Sequence, residues 1–155
     1  MPQPVATSIA SAWTRGGSSS PFDAHTPYAE LEREHRSLRD GLASLRSALS
    51  GAGRRTPVEL GNQVESVREK LSAQFSFEER MGLMHYLLTM RPTVQPQIER
   101  LRAEHRDILT TLDRTAATLR GGRAGYDVCA TILALLDRFE RHELDERQLL
   151  RSALR

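Results

Sequence analysis

Apolar residues recur at alternating intervals of three and four positions in four stretches of the chain, which is the spacing of one helix face. The stripe of the first stretch consists of Tyr28, Leu31, His35, Leu38, Leu42, Leu45 and Leu49. The same spacing predicts helices at about 27–50, 57–90, 93–120 and 127–154, and no alternating run predicts a strand. Because short loops between long helices favour antiparallel neighbours, we predict an all-α, up-down-up-down four-helix bundle.

Turn signals separate the four stretches. Glycines at 51 and 53 end the first, and Thr56 with Glu59 forms a capping box at the start of the second. Pro92 forces the residue before it out of the helical region, and glycines at 121–125 divide the last two stretches. Residues 1–26 are rich in Pro, Ser, Gly and Ala without any periodicity, so we predict a flexible tail over 1–26 and the bundle over 27–155.

Composition excludes several classes of function. The 155 residues include 22 Lys+Arg and 20 Asp+Glu, a net charge of +2, and the arginines alternate with acids rather than forming the basic patch that nucleic acid requires. The single cysteine, Cys129, excludes an internal disulfide and a cysteine-rich metal site. There is no signal-peptide pattern and no apolar run of the ~20 residues that a membrane span requires. We therefore expect a soluble cytoplasmic protein without a nucleic-acid or membrane partner.

Metal-ligating residue types interrupt the apolar stripes on all four helices. Counted from one end of the bundle at ~1.5 Å per residue, five of them fall at a similar depth of ~10–17 Å. These five are His35, Glu78, His105, His142 and Glu146. A buried network of hydrogen bonds between His and Glu is the alternative, but five such side chains at one depth favour a metal site, and mixed imidazole and carboxylate ligands suit iron, manganese or zinc.

The chain resembles the hemerythrin-like (HHE cation-binding) family over about 27–155. The segments that carry the resemblance are EHRSL at 34–38, QFSFEE at 74–79, EHR at 104–106 and HELDE at 142–146. The resemblance implies a carboxylate-bridged di-iron centre, with two irons expected and one possible. It further implies the ligand roles: terminal ligands at His35, His105 and His142, and bridging ligands at Glu78 and Glu146.

Two positions depart from the family pattern. Gln74 stands where helix two of the family usually has a histidine, and Leu101 stands where oxygen-carrying members have a second histidine on helix three. Gln74 is either a weak or supporting ligand or the mark of a degraded site. His85 and His25 are possible replacement ligands, and both are weaker candidates than the five residues above. Glu79 and Glu104 flank ligand positions, which predicts supporting or surface roles.

Three functions remain open at this stage. The first is a non-catalytic protein that binds or senses O2, NO or iron, which the absence of a recognisable second domain favours. The second is a structural or interaction bundle with a degraded metal site. The third is a small di-iron redox enzyme that handles peroxide or nitrosative stress. Its ferritin-type form is disfavoured, because that site needs Glu-x-x-His on two helices and the only candidate is Glu32/His35, with Glu32 off the stripe. The sequence names no protein partner.

Overall fold

The computed structural model describes residues 27–51, 55–80 and 82–153, with the side chains of 27–35 and of Leu83 outside the description. Within these ranges every regular element is helical. The elements are α1 (Pro27–Leu49), α2 (Pro57–Arg80), α3 (Leu83–Met90), a 3-10 turn (Pro92–Val94), α4 (Gln95–Arg120) and α5 (Tyr126–Ala153). The predicted tail over 1–26 lies outside the described residues, so it stays a prediction.

The long helices pack as a four-helix bundle. Helix α2 contacts both α1 and α4, and α5 contacts both α4 and α1, which closes the ring. Because each long helix lies beside the next one along the chain and the loops are short, neighbours run antiparallel. The predicted all-α fold and up-down-up-down order are confirmed.

The ends of the helices follow the predicted turn signals. The backbone N–H of Thr56 donates to Glu59 Oε2 at 2.7 Å, and the N–H of Glu59 donates to Thr56 Oγ1 at 3.2 Å, which is the reciprocal pair of a capping box. After α1 and α4 the chain turns at Gly51 (φ 86°) and Gly122 (φ 78°). These left-handed conformations suit glycine because it has no Cβ.

The prediction of one continuous helix over 57–90 is wrong, because the helix breaks between α2 and α3. The N–H of Gly82 donates to the carbonyl of Phe77 at 2.9 Å, five residues back rather than four. The backbone is so tightly folded there that a Cβ on Gly82 would lie 2.9 Å from the Cα of Glu78. Glycine is therefore the residue that allows the chain to turn directly after Glu78.

The break also changes which face of the chain is buried. Continuing the stripe of α2 would bury His85 and Leu88, whereas the structure buries Met84 and Leu87. His85 is exposed, and Leu88 is only half-buried. The extra residue in the turn shifts the helical register by one position, which a sequence pattern with constant spacing does not anticipate.

The buried apolar residues form two clusters. The large apolar cluster consists of Leu38, Leu45, Leu60, Val64, Val67, Leu71, Phe75, Ile108, Leu112, Ala116, Leu119, Ile132, Leu135, Leu136 and Phe139. The small apolar cluster consists of Met84, Leu87, Val94, Ile98, Leu101 and Leu150. On α4 and α5 the two clusters are separated by a stretch in which the buried side chains are polar.

Exposed ion pairs join the helices on the outside of the bundle. Arg46 on α1 contacts Asp137 and Glu140 on α5, each at 2.9 Å, and Arg68 on α2 contacts Asp113 on α4 at the same distance. Such pairs contribute little each. Among the described residues, no helix combines the length and apolar character that crossing a membrane requires. The cytoplasmic location stays a prediction.

Candidate metal centre

Six polar residues are buried within the described part of the bundle, and five of them belong to one layer between the two apolar clusters. The exception, Thr115, donates its hydroxyl to the carbonyl of Thr111 one turn earlier and is satisfied within α4. The members of the polar layer are Gln74, Glu78, His105, His142 and Glu146. They come from α2, α4 and α5, which carry them to a common depth.

The imidazole rings of His105 and His142 direct their Nε2 atoms at each other. The two Nε2 atoms are 2.9 Å apart. Glu146 Oε1 lies 3.3 Å from Nε2 of His142 and 3.7 Å from Nε2 of His105. Glu78 Oε2 lies 3.7 Å from Nε2 of His105. Three potential ligand atoms, the two Nε2 atoms and Glu146 Oε1, therefore lie within 4.8 Å of one another, and Glu78 Oε2 from a third helix lies beside one of them.

The other nitrogen of each ring faces a carboxylate at the edge of the bundle. His105 Nδ1 lies 2.7 Å from Glu79 Oε1, and His142 Nδ1 lies 2.8 Å from Glu104 Oε2. Because an ionised carboxylate only accepts, each Nδ1 carries a proton and donates it. Neutral rings of this tautomer present a lone pair at Nε2, and two lone pairs at 2.9 Å repel. A shared proton or a metal cation relieves that repulsion.

Two carboxylate oxygens in the layer have no hydrogen-bond partner, namely Glu78 Oε2 and Glu146 Oε1. Their residues are 1% and 3% exposed. Buried polar atoms are nearly always paired, since an unpaired one costs its full desolvation. Glu146 Oε1 lies beside both Nε2 atoms, and Glu78 Oε2 lies 3.7 Å from that of His105, so cations bound in this layer would satisfy these atoms.

These donors fit a first-row divalent metal. Ligands to such a metal lie about 2.0–2.2 Å from it, so neighbouring donor atoms lie ~3 Å apart. The observed separations of 2.9, 3.3 and 3.7 Å are close to that value. Two imidazoles with one carboxylate and open positions form the ligand set of non-haem iron(II) proteins. His105, His142 and Glu146 supply that set, with ligand atoms all within 4.8 Å of one another.

Comparison with protein families identifies the domain. The sequence model of the hemerythrin HHE cation binding domain matches residues 26–154. The chain belongs to the hemerythrin HHE cation-binding family. The resemblance that its sequence motifs indicated is thereby confirmed. Comparisons with curated proteins and with solved structures returned no match.

Burial and charge set the protonation of the two glutamates in this hemerythrin domain. Burial raises the pKa of Glu78 well above its ordinary value, and the charge of Glu146 raises it further. Burial acts on Glu146 in the same direction, but where the imidazoles of His105 and His142 carry a proton at Nε2, its donation and positive charge outweigh burial and lower the pKa of Glu146 to about 2. A cation among these groups would favour the ionised form of both carboxyl groups.

Aromatic rings from the large apolar cluster form one wall of the layer. The ring of Phe75 stacks on His105 with centroids 3.7 Å apart and an interplanar angle of 7°. It also meets the edge of His142 at 5.8 Å. These apolar contacts exclude water from the rings and restrict their rotation, so the imidazoles are oriented before any ligand binds.

Two arginines on α4 lie beside the outer carboxylates. Arg102 Nε lies 4.0 Å from Glu79 Oε2, and Arg100 Nε lies 3.7 Å from Glu104 Oε1. Arg100 also pairs with Asp145 on α5 at 3.0 Å. These ion pairs help to hold the two carboxylates beside the imidazoles.

The remaining predicted ligands have different positions. Gln74 belongs to the polar layer, where its Nε2 donates to Glu78 Oε1 at 2.7 Å. His85 is exposed on α3, so its prediction as an additional ligand is corrected: the register shift after Gly82 turns it away from the buried layer. His35 belongs to α1, but its side chain lies outside the described residues, as does His25.

Sequence reasoning assigned no single role to Glu79 and Glu104, which the structure pairs with the imidazoles. Each is adjacent in sequence to a member of the polar layer, Glu79 to Glu78 and Glu104 to His105. A neighbouring position points about 100° away around a helix, and this rotation carries each carboxylate to the outer edge of a ring. The position of each acid beside a predicted ligand was visible in the sequence. Assigning each acid to its histidine required the packing of the helices, because Glu79 on α2 contacts His105 on α4.

Proposed function

We propose that this hemerythrin-domain protein is a non-haem iron protein whose bundle interior holds a carboxylate-bridged centre of the di-iron type, and that it binds or senses O2, NO or iron itself. The observation that carries the proposal is the pair of orphaned carboxylate oxygens, Glu78 Oε2 and Glu146 Oε1, beside two facing Nε2 atoms. Among the described residues, neither oxygen has a hydrogen-bond partner.

Each side chain has a distinct role in this proposal. His105 and His142 would be terminal ligands through Nε2, and Glu78 and Glu146 would supply the bridging carboxylates that the family resemblance implies. His35 is the terminal ligand from α1 that the family resemblance implies. Bound iron would supply open coordination positions and a redox couple for a diatomic ligand.

Glu79 and Glu104 act as positioning residues. Each accepts the Nδ1 proton of an imidazole, which fixes the tautomer that leaves Nε2 free to ligate and increases its basicity. The stacked ring of Phe75 restricts the same imidazole from its face. These groups orient the ligands without contacting the metal.

A structural bundle with a degraded metal site is the second candidate, and Gln74 favours it. Its amide already satisfies one oxygen of Glu78 without any metal. On this account the layer is a buried network of hydrogen bonds and the chain binds iron no better than other helical bundles.

Metal analysis separates the two candidates. The protein, expressed with excess iron and reconstituted anaerobically with ferrous iron, is expected to retain iron through gel filtration, at up to two ions per chain. Glu146→Gln, which removes the charge of one ligand, is expected to lose most of it, whereas Glu140→Gln on the exposed face of α5 keeps it. Iron-loaded protein is expected to change its absorption spectrum on exposure to O2 or NO. Retention of no iron by the unaltered chain would contradict the proposal.

A further inference from the structure

We infer that the two metal positions of this centre are unequal: the position at His105, His142 and Glu146 binds first and more tightly, and Gln74 weakens the position on the α2 side. This inference rests on the proposed function and adds to it an order of binding. The observations that carry it are the convergence of donors on one point and the hydrogen bond between Gln74 and Glu78.

Three donor atoms already converge on the first position, and a fourth lies next to them. Nε2 of both histidines and Glu146 Oε1 lie within 4.8 Å of one another, and Glu78 Oε2 lies 3.7 Å from Nε2 of His105; neither oxygen has a hydrogen-bond partner among the described residues. An ion there receives two imidazoles and the Glu146 carboxylate with little rearrangement, and Glu78 lies beside one of the imidazoles. This pre-organisation favours tight binding, because few side chains need to be ordered when the ion binds.

The second position has a weaker donor, and the glutamate oxygen that would bridge to it already accepts a hydrogen bond. For Glu78 to bridge, its Oε1 must turn to the second ion, but that oxygen accepts the Gln74 amide at 2.7 Å. Gln74 is only 7% exposed, so its amide has little access to bulk water in exchange. Breaking this bond leaves a buried donor unpaired, which is unfavourable.

Gln74 itself is also a poor ligand. Its Nε2 is an amide nitrogen without an available lone pair, so only Oε1 can coordinate, and that oxygen is buried without a partner. A neutral carbonyl oxygen is a weaker ligand for iron than an imidazole nitrogen. Both effects act on the second ion and neither acts directly on the first. At metal concentrations between the two affinities, the chain would hold a single ion.

Stepwise titration tests the inference. Metal-free protein is titrated anaerobically with ferrous iron by calorimetry, and in parallel with Co²⁺ by visible absorption, which reports the coordination of each ion. We expect one tightly bound metal ion per chain, followed by a second ion that binds at least ~10-fold more weakly. A difference of this size is typical when the groups that support metal ligands are altered.

The decisive variant is Gln74→His, which supplies an imidazole and removes the amide donor to Glu78. It is expected to tighten the second equivalent by ~10-fold or more while changing the first much less. The matched control is Gln63→His, also on α2 but three turns earlier, where the native amide bonds Ser44 Oγ at 2.9 Å. This control is expected to leave both equivalents unchanged.

Two results would overturn the inference: two equivalents of equal affinity in the unaltered chain, or a folded Gln74→His variant whose second equivalent is no tighter. Circular dichroism establishes whether the variant folds. If the variant does not fold, the titration of the unaltered chain alone tests whether the two metal positions are unequal. Failure of the unaltered chain to bind either metal would overturn the proposed function itself, which keeps the two failures distinguishable.

Discussion

The large apolar cluster and the polar layer are equally buried, yet their side chains are stabilised in different ways. Leu112 and His105 lie two turns apart on α4, and each is 1% exposed. Around Leu112, burial alone is favourable, because apolar surface leaves water and packs against apolar neighbours. Around His105, burial is favourable only where each polar atom has a partner, and two neighbouring oxygens have none. The difference indicates that the cluster provides stability, whereas the layer has the unpaired donors that the proposed metal site requires.

The largest effect on stability is expected from the apolar cluster. Leu112→Ala removes a fully buried side chain and leaves a cavity, so the free energy of unfolding should fall by about 2–5 kcal/mol. Urea denaturation of the metal-free protein measures this loss. Iron affinity of the folded variant should stay unchanged, because Leu112 lies two turns from His105. An equal loss of iron affinity would show that the two regions are not separable.

The opposite sign is expected in the polar layer. The double variant Gln74→Met/Glu78→Met replaces both members of a buried hydrogen bond with apolar side chains of similar length. Since burial disfavours the charge of Glu78, the metal-free protein should become more stable by about 1–4 kcal/mol while iron binding weakens.

The single variant Glu78→Met tests how much the hydrogen bond between Gln74 and Glu78 contributes to this result. It should gain less stability than the double variant, because the amide of Gln74 then lacks an acceptor. Glu65→Met on the exposed side of α2 is the control and should not affect iron binding. Destabilisation of the double variant in urea would mean that the layer supports the metal-free fold, contrary to the comparison above.

A smaller effect is expected at the edge of the layer. Glu104→Gln keeps an acceptor for His142 Nδ1 but removes its charge, so iron affinity should fall by about 10- to 100-fold. The free energy of unfolding of the metal-free protein should change much less. Competition with a calibrated chelator measures the affinity, with Glu140→Gln as the matched control. Equal affinity in the two variants would exclude a positioning role for Glu104.

The smallest effect is expected on the surface. Arg46→Ala removes ion pairs to Asp137 and Glu140 that join α1 to α5, but all three side chains are well exposed. The expected loss in the free energy of unfolding is about 0.2–1 kcal/mol, without any change in iron affinity. A loss comparable to that of Leu112→Ala would show that the bundle depends on its surface charges.

Local chemistry determined much of the fold, and these parts were predictable. The alternating spacing, the capping box at Thr56 and the glycines at 51 and 122 each act within a few residues, so the sequence alone placed the long helices. The break at Gly82 was not predicted, because a single glycine inside a helical pattern is compatible with continuation. Glycine is required at position 82 because the chain passes close to Glu78, and this contact is visible only in the folded backbone.

The candidate site divides in the same way. Helix periodicity and depth predicted a common site for Glu78, His105, His142 and Glu146, because each interrupts an apolar stripe at a similar depth in the bundle. The same argument misplaced His85, since the register shifts after the break. The contacts of Glu79 and Glu104 with the imidazoles depend on how α2, α4 and α5 pack, and no spacing within one helix encodes them.

The central claim is that the polar layer holds iron between the two facing imidazoles. Crystals grown anaerobically from iron-loaded protein, with anomalous diffraction measured on both sides of the iron absorption edge, test it most directly. We predict an anomalous peak within coordination distance of Nε2 of His105 and His142 and of the carboxylates of Glu78 and Glu146. An iron-loaded crystal with no peak in this layer, or with iron only at surface carboxylates, would contradict the account.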